Sequence, residues 1–157
     1  MKEVITEPRF IVDDMLGKLA VRLRMLGFDA AYYGDSADSF LLRKARDEGR
    51  ILLTRDSSLV KTRGANAFFV ASRKLKDQIR EVIERYNLKI YPRNMFSRCS
   101  ICNEPLEEIP KEKVKNKVPP LVYKLFKEFS HCPKCKKYYW KGTHFEKIVE
   151  DLKEFIS

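Results

Sequence analysis

Two sets of side chains in this sequence could do chemistry. The first is the thiols, Cys99-Ser100-Ile101-Cys102 and Cys132-Pro133-Lys134-Cys135, two C-x-x-C knuckles separated by 29 residues. Four thiolates at paired short spacing suit closed tetrahedral Zn²⁺, a structural site because no coordination position is left for water. Disulfides are the competing use, which a reducing compartment disfavours. The second set is the carboxylates. Asp13 and Asp14, Asp35 and Asp38, and Asp56 each follow a stretch that reads as a β-strand. Acids gathered on one rim repel unless a hard cation neutralises them, and Mg²⁺ or Mn²⁺ prefers such oxygen ligands. A cation held there could activate water and stabilise a phosphodiester transition state. Each acid also has a structural use: Asp14 and Asp38 stand where helix N-caps stand, Asp56 could cap a short helix from Ser57, and Asp35 could shape the Gly34-Asp35 turn. Asp29, Asp47 and Asp77 read as ordinary exposed charges.

Positioning such groups requires elements, and the hydrophobic pattern supplies them. Arg9-Phe10-Ile11-Val12 reads as a short buried strand, followed by a helix with Leu16, Leu19, Ala20, Leu23 and Leu26 at helical spacing and Gly27 as its stop. Phe28 to Tyr33 reads as a second strand, and Ser39 to Glu48 as a helix closed by Gly49. Ile51 to Thr54 is a third strand, a short helical segment runs up to Gly64, and Ala67 to Val70 is a fourth strand. A helix with Leu75, Ile79, Val82, Ile83 and Tyr86 in register follows. Strands alternating with helices predict an α/β fold with a parallel sheet, whose ligands bind outside the carboxyl ends of the strands.

The chain has 157 residues with 32 Lys+Arg against 22 Asp+Glu, a net charge of +10, and 44% hydrophobic residues. That length holds one domain with an appendage, and the composition excludes wholesale disorder. Before residue 91 there are 11 Arg and 7 Lys, afterwards 2 Arg and 12 Lys, with all four cysteines in the later part. Tyr91-Pro92-Arg93-Asn94 therefore marks a division into 1–90, an α/β unit, and 91–157, a zinc ribbon with an inserted helix around Val118 to Phe126 and a C-terminal helix. Thr143 and Glu146 read as a capping box for that last helix. No run is long and apolar enough for a membrane span, and Met1-Lys2-Glu3-Val4 lacks a signal-peptide apolar region, so a cytoplasmic protein with no membrane partner is expected. The positive balance favours a polyanionic partner, with nucleic acid first.

The run Phe10-Ile11-Val12-Asp13-Asp14-Met15-Leu16-Gly17-Lys18-Leu19-Ala20, with Leu23-Arg24-Met25-Leu26-Gly27-Phe28-Asp29, resembles the RNase domain named for the C-terminus of the Mut-seven exonuclease. Tyr32-Tyr33-Gly34-Asp35-Ser36-Ala37-Asp38 and Ile51-Leu52-Leu53-Thr54-Arg55-Asp56 carry the same resemblance, which extends over nearly the whole chain and includes the cysteines. It implies a PIN-like nuclease fold with a C-terminal zinc ribbon. It further implies RNA hydrolysis at a Mg²⁺ or Mn²⁺ site made by Asp13, Asp38 and Asp56, with Asp14 where relatives often carry Glu. One departure is plain: relatives commonly place a second Asp two positions after the Thr-Arg-Asp motif, where this chain has Ser58, a poor metal ligand.

Arg55 is a candidate phosphate contact or a surface pair. Lys134, Lys136, Lys137, Tyr138, Tyr139, Trp140 and Lys141 mix cations with rings, a composition that suits RNA binding; the structural alternative is a ribbon strand with half its rings in the core. His131 and His144 carry weaker signals, a spare ligand and a phosphate contact or acid/base. The leading expectation is a metal-dependent ribonuclease. Its alternative is a noncatalytic RNA-binding or ribosome-associated protein on the same scaffold, within a ribonucleoprotein. A receiver domain, suggested by acids on the first and third rims, fails because the stretch that should hold its fifth strand holds the cysteines.

Overall fold

The computed structural model describes residues 7–156, so Met1 to Val4, on which the expectation about a leader rests, lie outside the described residues. Its first part is a parallel sheet of four strands, β1 (Phe10–Val12), β2 (Ala30–Tyr32), β3 (Ile51–Thr54) and β4 (Ala67–Phe69), in the order β2-β1-β3-β4. Parallel neighbours require a crossover. These are α1 (Gly17–Met25), α2 (Asp38–Glu48) and α3 (Ser57–Val60), with α4 (Leu75–Tyr86) after the last strand.

Alternate strand residues face opposite sides, and both sides are covered. Phe10, Val12, Ala30, Ile51 and Leu53 face α1, α4 and a later C-terminal helix, packing on Leu19, Leu23, Ile79 and Val82. Ile11, Ala31 and Leu52 face α2 and α3, meeting Leu41, Ala45 and Leu59. The register sets Val12 beside Tyr32 on one flank and beside Leu53 on the other. Consequently Asp13 stands level with Thr54, and the segments that leave these strands share one rim.

The second part is an antiparallel sheet of β5 (Glu107–Ile109), β6 (Phe129–His131) and β7 (Tyr138–Tyr139), with α5 (Pro120–Leu125) inserted and α6 (Thr143–Leu152) closing the chain. The division at residue 91 separates the parallel sheet from the cysteines, yet the hydrophobic core does not stop there. Met95, Ile148 and Leu152 are buried in the same cluster as Phe10 and Leu53. Glu154, just beyond α6, pairs with Lys76 at 3.1 Å and Arg80 at 3.2 Å on α4.

The capping box expected at Thr143 is not formed. Gly142 is the N-cap, without a side-chain cap hydrogen bond, and Thr143 is the first helical residue. Gly142 is buried, and a Cβ there would stand 3.1 Å from Trp140 Nε1, so the indole packs closely over the glycine at this turn. Among the described residues no helix is long and apolar enough to cross a membrane.

Candidate active rim and metal centre

At the carboxyl rim Asp13 leaves β1 with its side chain 5% exposed. Its Oδ1 accepts from the Met15 amide at 3.0 Å, so Asp13, not Asp14, caps the turn before α1. Its Oδ2 accepts from Thr54 Oγ1 at 2.5 Å and from the Arg55 amide at 3.1 Å. The same Thr54 oxygen accepts from the Asp56 amide at 2.9 Å. Thr54 is fully buried and thus ties the end of β3 to the Asp13 carboxylate. A hydroxyl on the last strand residue before an acid is the sequence signal that could have singled it out.

Asp56 caps α3 as expected: its Oδ1 accepts from the Ser58 amide at 2.9 Å and the Ser58 hydroxyl at 2.6 Å. These donors hold its carboxyl below the ordinary value. Ser58, standing where an acid was expected, therefore orients Asp56. Asp38 opens α2 after Ala37, its N-cap, and is exposed, as is Asp14. Among the described residues neither carboxylate carries a hydrogen bond. Beside the rim a cavity of about 410 Å³ is lined by Asp14, Met15, Lys18 and Arg73.

Arg55 commits one nitrogen of its guanidinium within the chain. Its Nη1 donates to the carbonyls of Val70, Ala71 and Ser72 at 2.8–2.9 Å, pinning the chain as it leaves β4.

At the other end of the sheet the four thiols converge. Cys99, Cys102, Cys132 and Cys135 bring their sulfurs within 4.8 Å of one another, and among the described residues they are the group of three or more potential ligands so gathered. Asp13, Asp38 and Asp56 follow adjacent strands without forming such a group. Tetrahedral coordination at a Zn–S distance of about 2.3 Å sets sulfurs roughly 3.8 Å apart, and a metal ion such as zinc fits the cluster. The two knuckles fold alike. Asn103 and Lys136, each four residues after the first cysteine of its pair, have φ of 73° and 66° and donate their amides back to Cys99 and Cys132.

Burial opposes the Cys99 thiolate, but the Tyr139 hydroxyl at 2.9 Å and nearby amides outweigh it and bring the thiol down to about 6. Burial and the adjacent thiols push Cys102 up to about 12. Such crowding of thiolates calls for a divalent cation. Tyr139 is thereby a support for the thiol cluster, and its ring is half-buried with Tyr138 and Trp140, the latter two packed against Val114 and Phe129. His131 stacks on Tyr138 with ring centres 5.5 Å apart and His144 is exposed. Lys134, Lys136, Lys137 and Lys141 are all exposed.

The first knuckle is anchored by residues that sequence reasoning missed. Arg24, 4% exposed on α1, donates Nε to the Ala30 carbonyl at 2.8 Å and Nη1 to the Ser100 and Ile101 carbonyls at 2.9 and 3.0 Å. Burial lowers its pKa against the attraction of Cys102 and Cys99, and a metal held by four thiolates here, with a net negative charge, would gain from this cation. Asn103 Oδ1 accepts from the Ala30 amide at 3.0 Å, and its Nδ2 donates to Asp29 at 2.6 Å. Asp29, expected as an exposed charge, is half-buried and receives Arg50 at 2.6 Å. Burial works against its ionisation, but Arg50 and Asn103 override it and hold the carboxyl below its ordinary value. No spacing rule announces these partners, most of which lie 21 to 77 residues apart.

The geometry defines an α/β protein with an acidic rim at one end of a parallel sheet and a four-cysteine ribbon docked at the other. The Mut7-C RNAse domain matches over residues 8–152, and the chain belongs to that family, which is of the nuclease type. The human protein named exonuclease mut-7 homolog is 36% identical over 101 residues, covering 60% of this chain but only 12% of the human protein.

Proposed function

We propose that this protein is a metal-dependent ribonuclease whose Asp13, Asp38 and Asp56, with Asp14 beside them, hold Mg²⁺ or Mn²⁺ at the carboxyl rim. The observation that carries the reading is the placement of these acids on segments leaving three adjacent parallel strands, in a chain of an RNase domain family. The donor set is all oxygen, which suits a hard cation that keeps several waters. Such an ion supplies a polarised water and neutralises charge on the scissile phosphate. Asp13 is held rigidly by Thr54 and two amides, while Asp38 and Asp14 keep carboxylate oxygens available. Lys18 and Arg73 offer cations to phosphates of the RNA beside Asp14. Zinc at the four cysteines closes the ribbon and leaves no position for water.

Cleavage of labelled single-stranded and structured RNA, with DNA as control, tests this. Wild type is expected to cut RNA with added Mn²⁺ or Mg²⁺, and Asp56→Asn to lose at least about a hundredfold in rate, the scale for removing a group that stabilises the transition state. Cutting that persists in Asp56→Asn would defeat the assignment. Ser58 favours a second reading, RNA binding without turnover, because it replaces a carboxylate. Equal RNA binding by both proteins with no cleavage by either would establish that alternative.

A further inference from the structure

Away from the acidic rim, the ribbon sheet and the start of α6 enclose a larger cavity of about 610 Å³. Its lining reaches Met25, the last residue of α1, which places it at the amino end of the parallel sheet. Rings dominate the walls. Tyr138, Tyr139 and Trp140 come from the ribbon, and Phe96 and Phe145, with ring centres 4.2 Å apart, from the segment before it and from α6. The charge is lopsided: Lys127, Lys137 and Lys141 line it with Arg98 and Lys111, opposed by Glu108 and Glu128. Lys137 Nζ stands 5.3 Å from the Tyr139 ring centre and Lys141 Nζ 5.5 Å from that of Phe145, so cations already pair with ring faces.

We propose that this cleft binds a single-stranded segment of RNA, bases against Trp140 and Phe145 and phosphates on Lys127, Lys137 and Lys141. The proposal rests on the reading that RNA is the substrate, and adds where a strand is gripped. A volume within the usual range of about 300–1,000 Å³ admits a nucleotide-sized group. Stacking on rings tolerates any base, while the surplus cations match a polyanion. A duplex is disfavoured, since its paired bases offer no free faces to the rings. The assignment divides the lysines of the second knuckle. Lys137 and Lys141 belong to the cleft, whereas Lys134 and Lys136 do not line it, and Lys136 Nζ is turned back onto the Pro133 carbonyl at 2.6 Å. Strands of three or four residues separate the two ends of the sheet by about 10 Å, so RNA held in the cleft must continue for some nucleotides before it reaches Asp13 and Asp56.

Trp140 is the only tryptophan, so its emission reports on the cleft. The whole zinc-loaded protein is titrated with oligouridylate without added Mg²⁺ or Mn²⁺, so that no cleavage intervenes, and binding is followed in parallel by anisotropy of labelled RNA. Saturable quenching of Trp140 is expected. Lys127→Glu with Lys141→Glu is expected to weaken binding at least about tenfold, and Lys134→Glu with Lys136→Glu, the same change in net charge, by less than about threefold. Zinc content and circular dichroism confirm that both variants are folded. The proposal is overturned if RNA binds with Trp140 emission unchanged, if the two double variants lose affinity equally, or if duplex binds better than single strand. Asp56→Asn is expected to bind as wild type does, so a failed rim and a failed cleft give different results.

Discussion

The two ends of the parallel sheet are built by opposite rules. At the amino end, Arg24, Asp29, Arg50 and Asn103 are buried or half-buried, and they spend their polar atoms on backbone, on one another and, for Arg50, on Glu48. At the carboxyl end Asp13 is buried and satisfied, but Asp14 and Asp38 stand exposed, and Asp56 is held through Ser58 and its own cap. Satisfied buried networks hold a structure together, whereas carboxylates kept close to water remain able to take a ligand. On the proposed reading the ribbon end supplies stability and the rim chemistry, and three changes would break or sharpen that contrast.

The largest effect is expected at the cysteines. Cys132→Ser removes a buried thiol from the four that could hold a metal ion, and should cost several kcal/mol because metal binding and folding are one process in such modules. Thermal unfolding with zinc analysis reads it, and an unaltered melting temperature would sever the link between ribbon and fold.

Asp29→Asn comes next, at about 2 kcal/mol near pH 7, since it weakens the hold on Arg50 and Asn103. Its sign with pH is fixed. The folded carboxyl lies below its unfolded value of about 3.9, so its stabilisation is complete above that value and disappears as pH falls through the folded one. Urea unfolding of wild type should therefore weaken below about pH 4, and that of Asp29→Asn should decline less steeply there. Parallel curves would remove Asp29 from the anchor.

The smallest change in stability belongs to Thr54→Val, nearly the same shape, at about 1 kcal/mol. It deletes the hydroxyl between the Asp13 carboxylate and the Asp56 amide. RNA cleavage should fall about tenfold and require more Mn²⁺ for half-maximal rate, while RNA affinity stays put. A loss that extra Mn²⁺ does not ease would make Thr54 a packing residue only.

Much of this architecture was legible beforehand, and what was missed has a common character. The strands Phe10 to Val12 and Ile51 to Thr54 lie where runs of buried residues predict, and α2 ends at Gly49 with φ of 64°, the left-handed stop its sequence announces. The cysteine pairs converge as their spacing implies. Asp29 was misjudged because local sequence carries no trace of Arg50 or Asn103, and the three carbonyls just past β4 that Arg55 Nη1 reaches were no more legible. Tyr139 and Trp140 read as either stacking rings or core, and both are half-buried: Tyr139 hydrogen-bonds Cys99 and Trp140 packs on Phe129, while both also line a cleft.

Periodicity and spacing by themselves determined the parallel α/β order, the acids at strand ends and the four-thiol cluster, because those signals repeat within a turn, a strand or a knuckle. Only the tertiary structure decided that the ribbon docks at the amino end through Arg24 and Asn103, that α6 returns to the first core, and that Thr54 joins two aspartates. Those contacts depend on register and burial between segments far apart in the chain, where desolvation selects partners that no local pattern names.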